Sequence, residues 1–176
     1  MLLAVLTVSD RCSRGEATDT AGPAIIKMLH AQWSDVEIVT ALLPDEEDQI
    51  AQKLRTWAEQ GVALVLTVGG TGLGPRDRTP EATRRVIDRE AHGLTELMRL
   101  KGSERHPYSW LSRAVSGLRG NTLIVNLPGS LRGATESLEV ILPLLYHGIE
   151  IAAGGQHTCA RMTDGSIVPA DLLVLA

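Results

Sequence analysis

Phenylalanine is absent from this chain of 176 residues and aromatic side chains make up only 3% of it, so a core must be assembled from Leu, Val, Ile and Ala. Cysteine is nearly as scarce. Cys12 and Cys159 form no ligand-spaced pair, which argues against a disulfide framework and against a structural zinc site. There is no basic excess: a formal charge of −4 disfavours a general nucleic-acid binder, although a local basic pocket fits on an acidic surface. No apolar stretch reaches the roughly 20 residues of a membrane span. The opening "MLLAVLTVSD" lacks the basic start and long apolar run of a signal peptide, so it is expected to be a strand. The expected address is cytoplasmic, with neither membrane nor nucleic acid as partner.

What is present, 44% hydrophobic and 22% charged residues, suits one folded domain with a real core. Four segments, 2–9, 37–43, 63–68 and 122–127, are short β-rich apolar runs that end in turn residues or a helix start. Three of them are almost continuously apolar, as strands covered on both faces should be. Helical patterns separate them: 22–33 with Ile25, Ile26, Leu29 and Trp33 on one face, then 45–61. A third covers 79–90, with Thr79 as N-cap and Pro80 at the first helical position, and a long one covers about 133–153. This alternation implies a three-layer α/β/α fold with a mostly parallel sheet. Residues 91–120 are expected to be inserted helices and loops. The main domain is expected to span 1–154, with 155–176 as an extension whose "SIVPADLLVLA" suggests an extra edge strand.

Ligands in such sheets bind outside the carboxyl ends of the strands. Four polar loops are expected there: "SDRCSRG" with Ser9 and Asp10, "PDEED" with Asp45, "GGTGLGPRD" with Gly69, Gly70, Thr71 and Gly72, and "NLPGS" with Asn126, Pro128, Gly129 and Ser130. The glycine loop is not a Walker A motif, because Pro75-Arg76 stands where Lys-Ser/Thr is required. It is bare backbone rich in amide donors, able to approach a phosphate closely, with Arg76 or Arg78 available for charge-assisted contacts. A tight strand-to-helix turn would account for one or two of its glycines, not for all four. Asp77 reads either as a turn former or, beside phosphates, as a ligand for a bridging cation. Asp45 reads either as an acid at a helix N-terminus or as the second carboxylate of that cation site.

Three stretches in order, "VSDR", "VGGTGLGPRDRTPEAT" and "LSRAVSGLRGNTLIVNLPGS", resemble the MogA/MoaB family of molybdenum-cofactor biosynthesis, whose fold also occurs in the gephyrin G domain. The likeness spans roughly residues 1–154. It implies a homotrimer and molybdopterin adenylyltransferase activity: molybdopterin and Mg-ATP give adenylylated molybdopterin and pyrophosphate. It further implies that Asp45 and Asp77 are catalytic and hold Mg²⁺. Gly69, Gly70, Thr71 and Gly72, with Asn126, Pro128, Gly129 and Ser130, would cradle the nucleotide, Ser112 would bind the pterin, and Ser9 and Asp10 would line the same pocket. A MoeA-type metal-insertion protein would receive the product. Arg78 and Leu131 depart from the family pattern, which more often has a small aliphatic residue and a proline at those places. The alternative within the family is a carrier that binds molybdopterin without turnover. Trp110 and Leu111, in the inserted segment, would serve an interface or pack on their own domain.

Overall fold

The computed structural model describes residues 1–155 and the backbone of 159–161 and 167–169. Strands β1 (Leu2–Val8), β2 (Glu37–Leu43), β3 (Leu64–Val68) and β6 (Thr122–Leu127) are parallel, in the spatial order β2-β1-β3-β6. Two short strands extend the sheet beyond β6: β5 (Ser116–Arg119) and then β4 (Arg89–Glu90), both paired antiparallel. The sheet is therefore mixed, parallel in its body and antiparallel at one edge.

Alternation along the strands sorts side chains into two cores. Leu3, Val5, Leu64, Leu66, Leu123 and Val125 face helices α2 (Ala21–Gln32), α5 (His92–Arg105) and α6 (Leu131–Ala152), which bury Ile25, Leu29, Met98, Leu138, Ile141 and Leu145 against them. Ala4, Leu6, Val8, Val65 and Ile124 face α3 (Glu47–Glu59) and α4 (Thr79–Arg84), where Ile50, Leu54, Trp57 and Ala82 close the second core. Leu and Ile carry the bulk in place of phenylalanine, each fully buried one contributing about 1.5–3 kcal/mol. The result is three layers, helices on both faces of one sheet, as expected.

Local detail departs from the sequence reading in five places. The second helix begins at Glu47, so Asp45 lies in the turn before it and not in its first turn. The helix expected over 79–90 ends at Arg84. Asp88 then donates its N–H to the Leu118 carbonyl, and Arg89–Glu90 pairs with β5, so sheet pairing takes over from helix propensity. Arg78, not Thr79, stands at the N-cap of α4, with Thr79 the first helical residue and Pro80 the second. Within 91–120 the chain forms α5, a 3₁₀ turn (Pro107–Leu111) and strand β5, which is more sheet than expected. In the C-terminal extension β7 (Cys159–Arg161) and β8 (Ile167–Pro169) pair with each other as a separate ribbon and not with the edge of the main sheet, while residues 170–176 lie outside the described residues.

Candidate active site

The carboxyl ends of β1, β2, β3 and β6 meet on one rim, and the loops that leave them enclose two adjoining cavities of about 730 and 260 Å³. Gly70, Asp77 and Gly129 border both. The smaller cavity is completed by Ser9, Asp45 and Gly69, the larger by Thr71, Gly72, Ser112, Pro128 and Ser130.

The floor depends on glycine at two positions. Gly69 has φ of 111°, and a Cβ there would sit 2.2 Å from the Val8 carbonyl oxygen. Gly70 has φ of 65°, and its Cβ would come within 2.3 Å of Thr79 Oγ1 and 2.7 Å of Asp45 Oδ1. Both are left-handed conformations that cost other residues steric strain. Glycine is thus what allows β3 to turn sharply beside the ends of β1 and β6.

The first and second loops hold each other. The Asp10 N–H donates to Asp45 Oδ2 at 3.0 Å and the Asp45 N–H donates to Asp10 Oδ1 at 3.0 Å. Arg76 adds a bidentate contact to Asp10, at 3.0 and 3.1 Å, and reaches Glu46 at 2.7 Å. Arg76, with the Asp45 N–H, holds the Asp10 carboxyl below the ordinary range. Asp45 is driven the other way: burial, reinforced by the charges of Asp10 and Asp77, raises it, though the Asp10 N–H partly opposes this. Its Oδ1 is buried without a partner, as is Thr79 Oγ1. Asp77 is half-buried, and its Oδ2 accepts from the Gly74 N–H at 2.7 Å.

The remaining expected site residues fall into two groups. Ser9 caps the short helix α1 (Asp10–Ser13) by accepting from the Cys12 N–H at 3.2 Å, and Ser130 caps α6 by accepting from the Gly133 N–H at 3.1 Å. The N-terminal turn of the 22-residue α6 thereby opens on the larger cavity, where its amides and dipole favour an anion. Two residues are placed differently from the expectation that they line the pocket. Asn126 is wholly buried beneath the floor. Its Nδ2 donates to Thr67 and Thr83, both at 2.9 Å, and its Oδ1 accepts from the Val115 N–H, so it ties β3, α4 and β6 together instead of facing a ligand. Asp10 borders neither cavity, because its carboxylate is taken up by Arg76 and the Asp45 amide. Arg76 is likewise spent on carboxylates and not on an incoming phosphate.

The structure also brings in residues that the sequence reading passed over. Asp19 lines the smaller cavity, accepting from the Thr7 hydroxyl at 2.6 Å and from the Gly22 N–H at 2.9 Å. Its position three residues before Gly22, at a helix start, is a recognisable capping signal. Arg113 reaches the glycine loop from the segment after the 3₁₀ turn, and nothing local in "LSRA" announces that contact. Tyr108 and Leu111 line the larger cavity, and Trp110 is 56% exposed, so this segment does not bury its apolar side chains in its own core.

The fold and sequence have close counterparts. A family described as a probable molybdopterin binding domain matches residues 4–147. The molybdopterin adenylyltransferase of Haemophilus influenzae is 42% identical over 139 residues, 78% of this chain and 71% of that protein. The molybdenum cofactor synthesis protein cinnamon of Drosophila melanogaster is 38% identical over 93% of this chain, which spans only 27% of that relative. A molybdenum cofactor biosynthesis bifunctional protein of Synechococcus elongatus is 37% identical, and the chain spans 48% of it. Among solved structures, the molybdopterin biosynthesis enzyme MoaB of Thermus thermophilus superposes with a TM-score of 0.81 at 51% identity, covering 87% of this chain and 96% of its own.

Proposed function

The chain belongs to the MogA/MoaB family of molybdopterin-binding domains of molybdenum cofactor biosynthesis, and from that premise we propose that it is a molybdopterin adenylyltransferase. It would move AMP from Mg-ATP onto the terminal phosphate of molybdopterin and release pyrophosphate. The observation that carries this reading is the wall shared by the two cavities, built from Gly70, Asp77 and Gly129, with Asp45 just behind it.

Two phosphate-bearing ligands, one per cavity, would meet at that wall. The pterin would lie against Ser112 in the larger cavity and the ATP phosphates would rest on Gly69 and Gly70. An oxygen of the pterin phosphate attacks the α-phosphorus, the bond from that phosphorus to the bridging oxygen breaks, and pyrophosphate leaves with the electron pair. The attacking oxygen is already ionised at neutral pH, so no enzyme nucleophile is required. The protein's part is to align two anions that repel each other and to offset their charge.

The residues present suit a magnesium ion. The buried, unpartnered Asp45 Oδ1 lies beside the cavity that Asp77 also borders, and magnesium is commonly held by one or two carboxylates, with phosphate oxygens and water completing its shell. Among the described residues no group of three or more His, Cys, Asp or Glu would hold a metal alone, which is consistent with a site completed by substrate phosphates. When bound, the ion would neutralise phosphate charge. Asp45 and Asp77 would supply its protein ligands.

The direct test is purified protein with molybdopterin, ATP and Mg²⁺, following adenylylated pterin and pyrophosphate together. Both products should form, and neither without Mg²⁺. Molybdopterin binding without product, under conditions in which a known transferase works, would instead make the protein a carrier. Homotrimer formation and delivery to a MoeA-type metal-insertion protein belong to the same proposal, and the mass in solution checks the first.

Gly72 offers a separate check on the cradle. A Cβ at this position would sit 2.9 Å from Asp77 Oδ2. Gly72→Val should therefore push the carboxylate aside and obstruct the approach of a phosphate. Because the displaced Asp77 borders both cavities, Mg-ATP affinity measured by calorimetry should fall about tenfold, the equivalent of about 1.4 kcal/mol. Unchanged affinity would remove Gly72 from nucleotide binding.

A further inference from the structure

We propose that Arg113 is the residue that positions Asp77, by holding both ends of the turn on which Asp77 stands. Its guanidinium donates from Nε to the Gly72 carbonyl at 2.6 Å and from Nη2 to the Asp77 carbonyl at 2.7 Å, while Nη1 pairs with the Glu81 carboxylate. Its backbone N–H donates to the Thr71 carbonyl at 2.9 Å. Residues 73–76, between the two clamped carbonyls, are all exposed, so core packing does not fix the turn. Inside it, the contacts between Gly74 and Asp77 are local and move with it. The other outward tie is the exposed Arg76 side chain, whose flexible stem reaches Asp10 and Glu46 without holding the backbone at Asp77.

The anchor is itself fixed. Burial, the largest single effect, pushes the Glu81 carboxyl up, but the Arg113 hydrogen bond, a backbone N–H and the positive charges of Arg113 and Arg78 together outweigh it and hold the group below the ordinary range. Glu81 also belongs to α4, which Asn126 ties to the sheet through Thr83. The clamp thus runs from the rigid body of the fold, through one guanidinium, to the wall shared by the two cavities. A planar fork serves three acceptors in fixed directions, which the single ammonium of lysine cannot do. Ser112, the residue before the clamp, lines the larger cavity, so the segment that would meet the pterin also carries the group that aims Asp77.

This inference rests on the transferase reading for its effect on turnover, but one readout is independent of it. Trypsin cleaves after Arg76 and Arg78, within and just after the turn, and reports on the turn whatever the protein catalyses. In Arg113→Ala, kcat should fall about 100-fold, the loss expected from a misplacement of about 1 Å. KM for molybdopterin should stay near the wild-type value, added guanidinium ion should restore part of the lost turnover, and trypsin should cut the turn faster. Arg113→Lys should resemble Arg113→Ala without rescue, and it carries the comparison if the alanine variant does not fold. Unchanged kcat, or equal trypsin resistance, would overturn the proposal. Absence of adenylyl transfer in the wild type would instead defeat the transferase reading, and trypsin alone would then decide on Arg113.

Discussion

Asp77→Asn should leave a folded protein that binds molybdopterin yet transfers AMP on the order of 100–1,000-fold more slowly, the loss typical of removing one preorganised electrostatic contact. Folding should survive because the side chain's hydrogen bond is local. Its Oδ2 accepts from the Gly74 N–H, and an asparagine keeps an oxygen for that donor. Arg113 holds the Asp77 carbonyl and not its carboxylate, so the backbone path is untouched. What disappears is one negative charge on the wall between the cavities. If Asp45 and Asp77 hold Mg²⁺ as proposed, turnover should also require more Mg²⁺ than in the wild type, because one of the two proposed ligands has become neutral. Normal turnover at ordinary Mg²⁺ would sink the role assigned to Asp77, whereas loss of molybdopterin binding along with turnover would show that the residue serves the larger cavity and not the phosphate junction.

Asp45→Asn should divide function from stability. Turnover should again drop by about 100-fold or more, for the same electrostatic reason. Stability at neutral pH should rise. The Asp45 carboxyl is buried, Asp10 and Asp77 add like charge, and Oδ1 has no partner, so its pKa in the fold is raised. A carboxyl raised in this way is more readily protonated in the folded state than in the unfolded chain. The ionised form therefore costs stability at every pH above its folded pKa, and that cost fades as pH falls through the raised value. Asparagine carries no such cost and still offers an oxygen to the Asp10 N–H. The thermal midpoint of Asp45→Asn should exceed that of the wild type at pH 7, and the two should converge below about pH 4, the ordinary aspartate range. A lower midpoint at pH 7 would mean that the Asp10 N–H holds the carboxylate more strongly than burial and like charge oppose it.

Both experiments concern residues whose chemical type was legible in the chain and whose surroundings were not. The two aspartates stand in loops after strands that can be found in the chain: Asp77 follows "LVLTV", almost continuously apolar as a strand covered on both faces should be, and Asp45 follows the β-rich "EIVTALL". Where β5 and β4 lie could not be found in this manner. "SGLR" and "RE" have neither length nor alternation, and they become strands only because the edge of β6 offers Ser116 and Gly117 partners at Val125 and Ile124. For the same reason "TPEATRRVIDRE" reads as one helix but is cut short once Asp88 finds the Leu118 carbonyl.

The sequence by itself determined the layered α/β class, the family, the glycines that bring backbone to a phosphate-sized space, and the pair of carboxylates, because each follows from local periodicity, from residue type or from an ordered motif. Only the tertiary structure decided which polar groups face the cavities and which are spent inside the protein. Asn126 stands in the same motif as Pro128 and Gly129, yet Thr67, Thr83 and the Val115 amide claim all that it offers toward binding. Arg76 turns to Asp10 and Glu46, while Arg113, unremarkable in the chain, crosses to Gly72 and Asp77. Hydrogen bonds between residues 11 to 66 positions apart leave no trace in local pattern. They form because folding brings buried donors and acceptors together and unpaired ones are costly.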